Sequence, residues 1–330
     1  MVELTARSRF YISLVIIILI IVLSFTVIFY GVYQVYYAPA SLFRRNHSAF
    51  GTVEEEFDNK VLNVAVLGLH NRNEDNTFGE IYYVDTIMIA SVSFEQNSLN
   101  LLAVPRDSYV EIAGEGVEDR IRQSYSYGYN RALEAGEEKE ERHRAGMEKA
   151  VETVSALLEG MDLHYYLAMD IQGLKQLIDS LGGVYYTVER PLIGFTPRES
   201  LAAGPQMLDG QGYITYLTYR EPDTRDDLNR IKRQKTLLRA TFAYFQDMGL
   251  FRYLIPAYSA YREHIHTDLS FNQIAALALF AAERLEAEAI TDYSLQGEYF
   301  TTDGGQTYCL RLDEETLSDV LEVMVVKPAQ

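Results

Sequence analysis

The chain has 330 residues, of which 48% are hydrophobic and 12% aromatic, and this is enough apolar surface for a folded domain with its own core. Its formal net charge of −18 argues against general nucleic-acid binding, because most of the surface would repel a polyphosphate backbone. The single cysteine, Cys309, excludes an intrachain disulfide and a cysteine-based zinc site. An anionic ligand must therefore bind at a local basic patch.

Residues 10–30 form an uncharged apolar stretch, FYISLVIIILIIVLSFTVIFY. As a helix it would be roughly 31 Å long, close to the hydrocarbon thickness of a bilayer. We predict a transmembrane anchor that follows a tail of residues 1–9. The alternative is a signal peptide cleaved near residues 38–40, but the apolar stretch is longer than such peptides usually carry. Basic residues flank both ends of the span, so charge alone does not orient it.

Residues 31–60 are predicted to form a polar stalk, and residues 61–330 a single globular domain. Alternating apolar residues at 61–68 predict a buried strand that ends in a glycine turn. Two further strand-like runs, at 84–93 and 99–105, are separated by turn-forming residues and predict a hairpin.

The remaining pattern mixes helices and strands. An amphipathic helical pattern covers about residues 129–159. A strand at 165–169, a helix at 171–181 and a strand at 184–189 follow in β-α-β order. A long helix is predicted from residue 227 to about residue 247. This order predicts a mixed sheet flanked by helices.

Two places near strand ends carry charged side chains. Asp85 begins an apolar strand, and the two-residue period puts it on the face of Ile87 and Ile89. A carboxylate there needs a cation or several hydrogen bonds; the alternative is that it caps a turn outside the sheet. Arg106 and Asp107 follow a proline that ends a strand, where α/β sheets usually place ligand groups. The alternative for this pair is a surface salt bridge.

The segment DLNRIKRQ, residues 227–234, starts the long helix. Residues 218–235 hold six basic and four acidic residues in this acidic chain. Helical spacing places Asp227, Arg230 and Gln234 on one face. The side chains predicted to face the core are those of Leu228, Ile231 and Leu238. Guanidinium groups near a helix start suit a phosphate or pyrophosphate, although an isolated basic face is more often a solvated surface.

Seven segments together carry a family resemblance. In chain order they are NVAVLGLHNR, DTIMIASV, LLAVPRDSYVEI, DRIRQSYSYG, MDIQGLKQLIDSLGGVYYTV, LDGQGYITYLTYR and DLNRIKRQ. They resemble the LytR-CpsA-Psr family, membrane-anchored enzymes that attach glycopolymers such as teichoic acids or capsule to bacterial peptidoglycan. The resemblance implies a three-layer α/β/α fold with a mixed central sheet after one N-terminal transmembrane helix. It also implies a single-pass protein of the cell membrane, with a cytoplasmic N-terminus and an extracytoplasmic domain.

The resemblance also implies a set of site residues. Those that would hold the pyrophosphate of a polyprenyl-linked substrate are Arg106, Arg220, Arg230 and Gln234. Asp85 matches a ligand of a bound Mg²⁺, and Asp227 matches an acidic residue beside the arginines. The residues expected to act in catalysis are Asp85, Arg106 and Asp227. Their chemistry agrees with these roles, because guanidinium groups neutralise phosphates and a carboxylate can activate an acceptor hydroxyl.

Three positions depart from the family pattern. His70 stands where the family usually has an Asp, and Tyr83 and Thr218 stand where it usually has Arg. The chain therefore lacks one carboxylate and two guanidinium groups, and histidine is a poor ligand for a hard cation such as Mg²⁺. A weak or altered magnesium site is the expectation.

Three functions remain open at this point. The first is a phosphotransferase that joins a polyprenyl-pyrophosphate-linked glycopolymer to peptidoglycan during cell-wall assembly. The second is a divergent, catalytically weak protein that binds a polyprenyl phosphate or a wall polymer, and His70, Tyr83 and Thr218 favour it. The third is a pyrophosphate hydrolase, which needs only water as the acceptor at the same site.

Overall fold

The structure, a computed structural model, describes residues 31, 33–43, 61–71, 82–194, 196, 200–219, 227–249, 253, 262–305 and 307–324. The predicted transmembrane span at residues 10–30 lies outside these residues. Within the described part of the chain, no helix has both the length and the apolar character needed to cross a bilayer.

The described strands are β1 (Leu62–Asn71), β2 (Tyr82–Ser93), β3 (Ser98–Val104), β4 (Tyr109–Ile112), β5 (Val117–Arg120), β6 (Tyr165–Asp170), β7 (Val184–Val188), β8 (Gly204–Leu208), β9 (Ile265–Thr267), β10 (Ile290–Ser294), β11 (Gly297–Thr302) and β12 (Thr307–Leu312). The described α-helices are α1 (Ser124–Glu134), α2 (Lys139–Leu157), α3 (Ile171–Ser180), α4 (Gly210–Thr218), α5 (Asp227–Asp247), α6 (Phe271–Glu283) and α7 (Glu314–Met324).

A six-stranded sheet with the order β10-β3-β2-β1-β6-β9 forms the centre of the fold. Its β10–β3 and β1–β6 pairs are parallel, whereas β3–β2, β2–β1 and β6–β9 are antiparallel. The mixed sheet predicted from the sequence is therefore confirmed. The carboxyl ends of β1, β3 and β6 lie at one edge of the sheet together with the start of β2, and this edge carries the charged residues described below.

Both faces of the sheet are covered. The two-residue period of β1 sends Ala65, Leu67 and Leu69 to one face, where they join side chains of α1, α2 and α7. It sends Leu62 and Val64 to the other face, where α6 contributes to the core. Ile231 of α5 packs on this second face as well. Helices on both sides of a mixed sheet give the three-layer arrangement.

Strand β1 does not end at the predicted glycine turn. It continues through Gly68 to Asn71, and Gly68 is paired with Thr86 on β2. A Cβ atom at residue 68 would lie 2.9 Å from the Cβ of Thr86. The glycine therefore permits a close approach of two strands instead of a turn.

Two other predictions need correction. Strand β7 does not join the main sheet in β-α-β order, because it pairs antiparallel with β8 in a separate hairpin. The helical pattern at 129–159 is divided into α1 and α2 by a break in which Gly136 has a φ of +79°. That left-handed conformation suits glycine and ends the first helix. The hairpin at 84–105 and the long helix from residue 227 are confirmed.

Part of the predicted stalk packs on the domain. Phe43 is buried, and its ring contacts those of Phe94 and Tyr165 at centroid distances of 5.5 and 5.9 Å. The Nε2 atom of Gln273 on α6 donates a hydrogen bond to the carbonyl oxygen of Leu42 at 2.9 Å. The core therefore includes residues that precede the predicted boundary at residue 61.

Candidate anion-binding site

Asp85 lies in β2, in an irregularity of its pairing with β1. Leu69 faces Val84 and Gly68 faces Thr86, so Asp85 is the additional residue of a β-bulge. The bulge changes the two-residue period, and Val84 takes the place in the core beside Ile87 that an unbroken period predicts for Asp85. Asp85 is therefore inside the strand and does not cap a turn, but it does not share the face of Ile87 and Ile89 as predicted.

Arg106 follows β3 and Pro105, at the sheet edge where Asp85 also lies. Its side chain is buried, and its Nη1 atom lies 2.8 Å from Oδ2 of Asp85. The Nε atom of Arg106 is 3.9 Å from Oδ2 of Asp107, so this contact is the weaker one. Arg106 is thus part of an interior ion pair and not of the surface salt bridge considered as the alternative.

Helix α5 supplies the second guanidinium group. Arg230 and Gln234 are 4% and 6% exposed, and Ile231 between them packs on Met88 and Ala103. The Nε2 atom of Gln234 donates to the carbonyl oxygen of Leu217 at 3.1 Å. The face of α5 that carries Arg230 and Gln234 therefore points into the protein. The alternative of a solvated basic surface does not apply to these two residues.

The core side of α5 differs from the prediction at one position. Leu237 is fully buried and Leu238 is 36% exposed. The helix thus turns Leu237, and not Leu238, to the core, since Arg230, Gln234 and Leu237 follow one another at steps of four and three residues. The side chain of Leu228 lies outside the described residues.

Arg106, Arg230 and Gln234 meet Asp85 around one narrow cavity. The cavity measures about 10 Å³ and is lined by Asp85, Thr86, Ile87, Met88, Ala103, Val104, Arg106, Arg230, Ile231 and Gln234. Such a volume holds about one water molecule. A phosphate group would therefore contact these side chains from the mouth of the cavity.

Arg122 is a site residue that the sequence analysis did not identify. Its Nη2 atom lies 2.6 Å from Oδ1 of Asp85, so this carboxylate has a guanidinium group near each oxygen. Arg122 follows the β4–β5 hairpin, which the sequence analysis also missed. The backbone N–H of Arg122 donates to the carbonyl oxygen of Arg106 at 3.1 Å, and this bond fixes the two arginines next to each other.

The environment of these arginines favours an anion. Burial lowers the pKa of the Arg122 guanidinium below its usual value; Asp85 acts in the opposite direction, and Arg106 lowers it further. The described side chains here comprise three guanidinium groups, Arg106, Arg122 and Arg230, and two carboxylates, Asp85 and Asp107. A bound anion would accept hydrogen bonds from guanidinium groups that burial keeps from water.

Other predicted site residues are only partly described. Arg220 lies outside the described residues, and Asp227 is described as the first residue of α5 without its side chain. Thr218 ends α4, and its hydroxyl donates to the carbonyl oxygen of Ile214 at 2.8 Å. His70 and Tyr83 are direct partners in the β1–β2 pairing. Two of the three departures from the family pattern are therefore neighbours.

The described residues at this edge fit Mg²⁺ poorly. Magnesium requires oxygen ligands in near-octahedral geometry, commonly one or two carboxylates with water and substrate phosphates. Both oxygens of Asp85 are near guanidinium groups, and His70 offers nitrogen. Within the described part of the chain, no group of three or more His, Cys, Asp or Glu residues could hold a metal ion. Glu74, Asp75 and Glu80 lie outside the described residues.

A second concavity, of about 440 Å³, has Gln123, the residue after Arg122, in its lining. It is lined by Glu115, Asp119, Gln123, Ser126, Tyr127, Asn130, Arg131 and Glu134. It is larger than the arginine cavity, but most of its charged groups are acidic. A phosphate is therefore better placed at the arginine cavity, whereas this polar groove suits groups that bear hydroxyls.

The fold defines the class of protein, which is an α/β/α domain with a mixed central sheet. Its candidate site consists of buried arginines at the carboxyl ends of the strands. The chain belongs to the LytR_cpsA_psr family, whose model matches residues 32–324. This result confirms the family resemblance carried by the seven sequence segments.

Curated relatives agree with this assignment, and solved structures share the fold. The polyisoprenyl-teichoic acid--peptidoglycan teichoic acid transferase TagU of Bacillus mycoides is 25% identical over 216 residues, which are 64% of this chain and 62% of the relative. The match thus spans less than two thirds of the relative's length. The crystal structure of B. subtilis TagV has a TM-score of 0.64 at 21% identity, with 80% of this chain and 96% of that chain covered. A structure of TagT bound to LI-WTA has a TM-score of 0.61 at 20% identity, with coverages of 84% and 98%.

Proposed function

We propose that the protein is a phosphotransferase that attaches a polyprenyl-pyrophosphate-linked glycopolymer to peptidoglycan. The observation that carries this proposal is the placement of Arg106 and Arg230, both buried, around one cavity at the sheet edge. Guanidinium groups that converge on one cavity can bind phosphate oxygens through paired, charge-assisted hydrogen bonds. The family assignment and the names of the relatives, which describe transfer of teichoic acid to peptidoglycan, supply the substrate class.

The proposed reaction exchanges one phosphorus–oxygen bond for another. A hydroxyl of the acceptor sugar attacks the phosphorus that carries the glycopolymer, a phosphodiester forms, and the pyrophosphate bond to the polyprenyl phosphate breaks. The leaving polyprenyl phosphate gains negative charge, which Arg106 and Arg230 would stabilise in a site with little water. The proton of the acceptor hydroxyl passes to a base, and the family resemblance makes Asp227 the candidate for this role.

The polar groove beside Arg122 supports a place for the carbohydrate. Its lining includes hydroxyl, amide and carboxylate groups that can hydrogen-bond to sugar hydroxyls, together with the ring of Tyr127. A sugar bound there would contact Gln123, which is the residue after Arg122 in the chain. We therefore infer that the glycan part of the donor or the acceptor occupies this groove.

We also infer that residues 10–30 anchor the protein in the cell membrane by a single pass, with a cytoplasmic N-terminus and residues 61–330 outside. A lipid-linked donor would then reach the arginines from the bilayer in which it resides. Protease treatment of intact spheroplasts tests this placement, because the domain should be digested while the N-terminal tail is protected. Digestion only after lysis would contradict it.

A binding protein with little turnover is the second candidate. The observation that favours it is the engagement of Asp85 by two arginines, which leaves the carboxylate poorly available to a metal ion or an acceptor. We infer that any binding of Mg²⁺ at Asp85 is weak, and no step of the proposed reaction uses the ion. A hydrolase that uses the same arginines and water as the acceptor is the third candidate.

One experiment separates the three functions. The full chain in detergent is incubated with a radiolabelled lipid-linked glycopolymer and peptidoglycan, and the label is followed in the lipid, soluble and peptidoglycan fractions. A transferase moves the label to peptidoglycan and releases polyprenyl phosphate, which is the result we expect. Label in free polymer identifies a hydrolase. Label that stays in the lipid fraction but co-elutes with the protein identifies a binding protein, and either of these results overturns the proposed activity.

A further inference from the structure

Arg122 is held in place by contacts on several sides. Its guanidinium carbon lies 4.7 Å from the centre of the Tyr83 ring, and its Nη2 atom contacts Asp85. Its own backbone N–H is bonded to Arg106, and the N–H of Ile121 donates to the carbonyl oxygen of Ser108 at 2.7 Å. The side chain of Ile121 is completely buried in the core. The guanidinium group therefore has little freedom to leave the site.

With Arg122 in this position, Asp85 forms ion pairs with two arginines. Arg106 lies near one of its oxygens and Arg122 near the other, at 2.8 and 2.6 Å. The two arginines share this carboxylate, and the second carboxylate nearby, Asp107, lies farther away, at 3.9 Å from Arg106. The buried Nε atom of Arg122 makes no hydrogen bond to any described residue. Arg122 thus retains donor capacity beyond its contact with Asp85.

A cation at this point has the function that a metal ion would have beside a diphosphate, which is to neutralise phosphate oxygens. A guanidinium group can also pair with two oxygens at once, which gives it a geometry suited to phosphate. The Tyr83 ring lies against the guanidinium group and stabilises its charge. These features occur together in Arg122, and the two oxygens of the carboxylate that would have to bind a metal ion lie 2.8 and 2.6 Å from guanidinium nitrogens.

We propose that Arg122 is a third phosphate-binding residue of this site, and that the protein therefore binds a lipid diphosphate without a divalent cation. Asp85 is then a positioning residue that aligns Arg106 and Arg122. This inference rests on the proposed function, because it specifies how the same site recognises its substrate. The alternative is that Arg122 serves only to neutralise Asp85 and does not contact the ligand.

The test measures binding of geranylgeranyl pyrophosphate to the full chain in detergent by titration calorimetry, once with Mg²⁺ and once with EDTA. The wild type should bind equally well in both, within about twofold. Arg122→Ala should weaken binding by roughly ten- to a hundredfold, the usual range for a charge-assisted contact. Arg144→Ala is the matched control, because Arg144 is an exposed arginine paired with Glu141 on α2 and its removal changes the net charge equally.

Arg122→Gln keeps the length and part of the hydrogen bonding without the charge, so it replaces Arg122→Ala if the latter fails to unfold cooperatively on heating. Equal binding by the wild type and the Arg122 variant, or loss of wild-type binding in EDTA, overturns this inference. Arg230→Ala distinguishes the two proposals. If it weakens binding while the Arg122 variant does not, only the inference fails; if the wild type does not bind the probe, the proposed function fails.

Discussion

The guanidinium carbon of Arg122 lies 4.7 Å from the centre of the Tyr83 ring. Cation–π contacts of this kind contribute about 0.5–2 kcal/mol, depending on how far the cation is removed from water. Tyr83→Phe keeps the ring and should leave diphosphate affinity unchanged. Tyr83→Ala removes the ring and should weaken affinity by about three- to tenfold. The same weakening in both variants would assign the effect to the Tyr83 hydroxyl and contradict this account.

Phe43 connects the segment after the predicted anchor to the domain core through its contacts with Phe94 and Tyr165. Phe43→Ala should lower the free energy of unfolding by about 3–5 kcal/mol, as is typical for loss of a buried phenyl ring. A chain that begins at residue 61 should have a lower thermal midpoint than one that begins at residue 31, and both should remain soluble without detergent. Equal midpoints for these two chains would show that the contact is not stabilising.

His266 gives the fold a dependence on pH. Its ring stacks on that of His143 at 4.8 Å, and burial lowers its pKa, while Asp170 acts in the opposite direction and Lys139 lowers it further. A histidine with a lowered pKa in the folded state is protonated first in the unfolded state. Protonation of His266 therefore does not lower the free energy of unfolding above about pH 6.5, which is the usual pKa of a histidine in an unfolded chain. Below this pH the free energy of unfolding falls as the pH decreases.

Chemical denaturation of the wild type and of His266→Gln between pH 7.5 and pH 5 measures this effect. Glutamine does not titrate, so stability should fall less with decreasing pH in the variant than in the wild type. The difference between the two proteins should develop below about pH 6.5. A wild type that becomes more stable relative to the variant on acidification would have the opposite sign and would contradict the assignment.

Restoring the family residues should change the metal site. The triple variant His70→Asp, Tyr83→Arg and Thr218→Arg adds a second carboxylate near Asp85 and removes the ring below Arg122. We expect it to bind Mg²⁺ more tightly than the wild type in calorimetry, and to release polyprenyl phosphate from a lipid-linked donor about tenfold faster for each restored transition-state contact of ~1.4 kcal/mol. A wild type that already binds Mg²⁺ tightly and reacts as fast as the variant would show that these three positions matter little.

Local sequence patterns were sufficient for much of the fold. The alternation in β2 and β3, with turn residues between them, predicted the hairpin, and helical spacing predicted that Arg230 and Gln234 share one face of α5. Both patterns arise from neighbours in the chain. The partner of β7 could not be predicted in this way, because a short apolar strand has the same pattern in a central sheet and in a separate hairpin.

The site was harder to predict than the elements that carry it. The bulge at Asp85 depends on how β1 pairs with β2, and the glycine that accommodates this pairing, Gly68, is equally consistent with a turn. Arg122 is 37 residues from Asp85 in the sequence, and it reaches Asp85 after the β4–β5 hairpin, where its backbone N–H bonds to Arg106. Its segment belongs to the family motif DRIRQSYSYG, but neither charge nor spacing distinguishes Arg122 from a surface arginine.

Binding of a diphosphate by the buried arginines at this edge of the sheet can be measured with the variant Arg230→Ala. Arg239→Ala is the matched control, because Arg239 lies on the same helix and its Nη1 atom pairs with Asp292 at 3.0 Å, with 44% of its side chain exposed. Arg230→Ala should weaken geranylgeranyl pyrophosphate binding by the full chain roughly ten- to a hundredfold, whereas Arg239→Ala should bind as the wild type does. Equal affinity of the folded Arg230→Ala variant and the wild type would show that Arg230 does not bind the diphosphate.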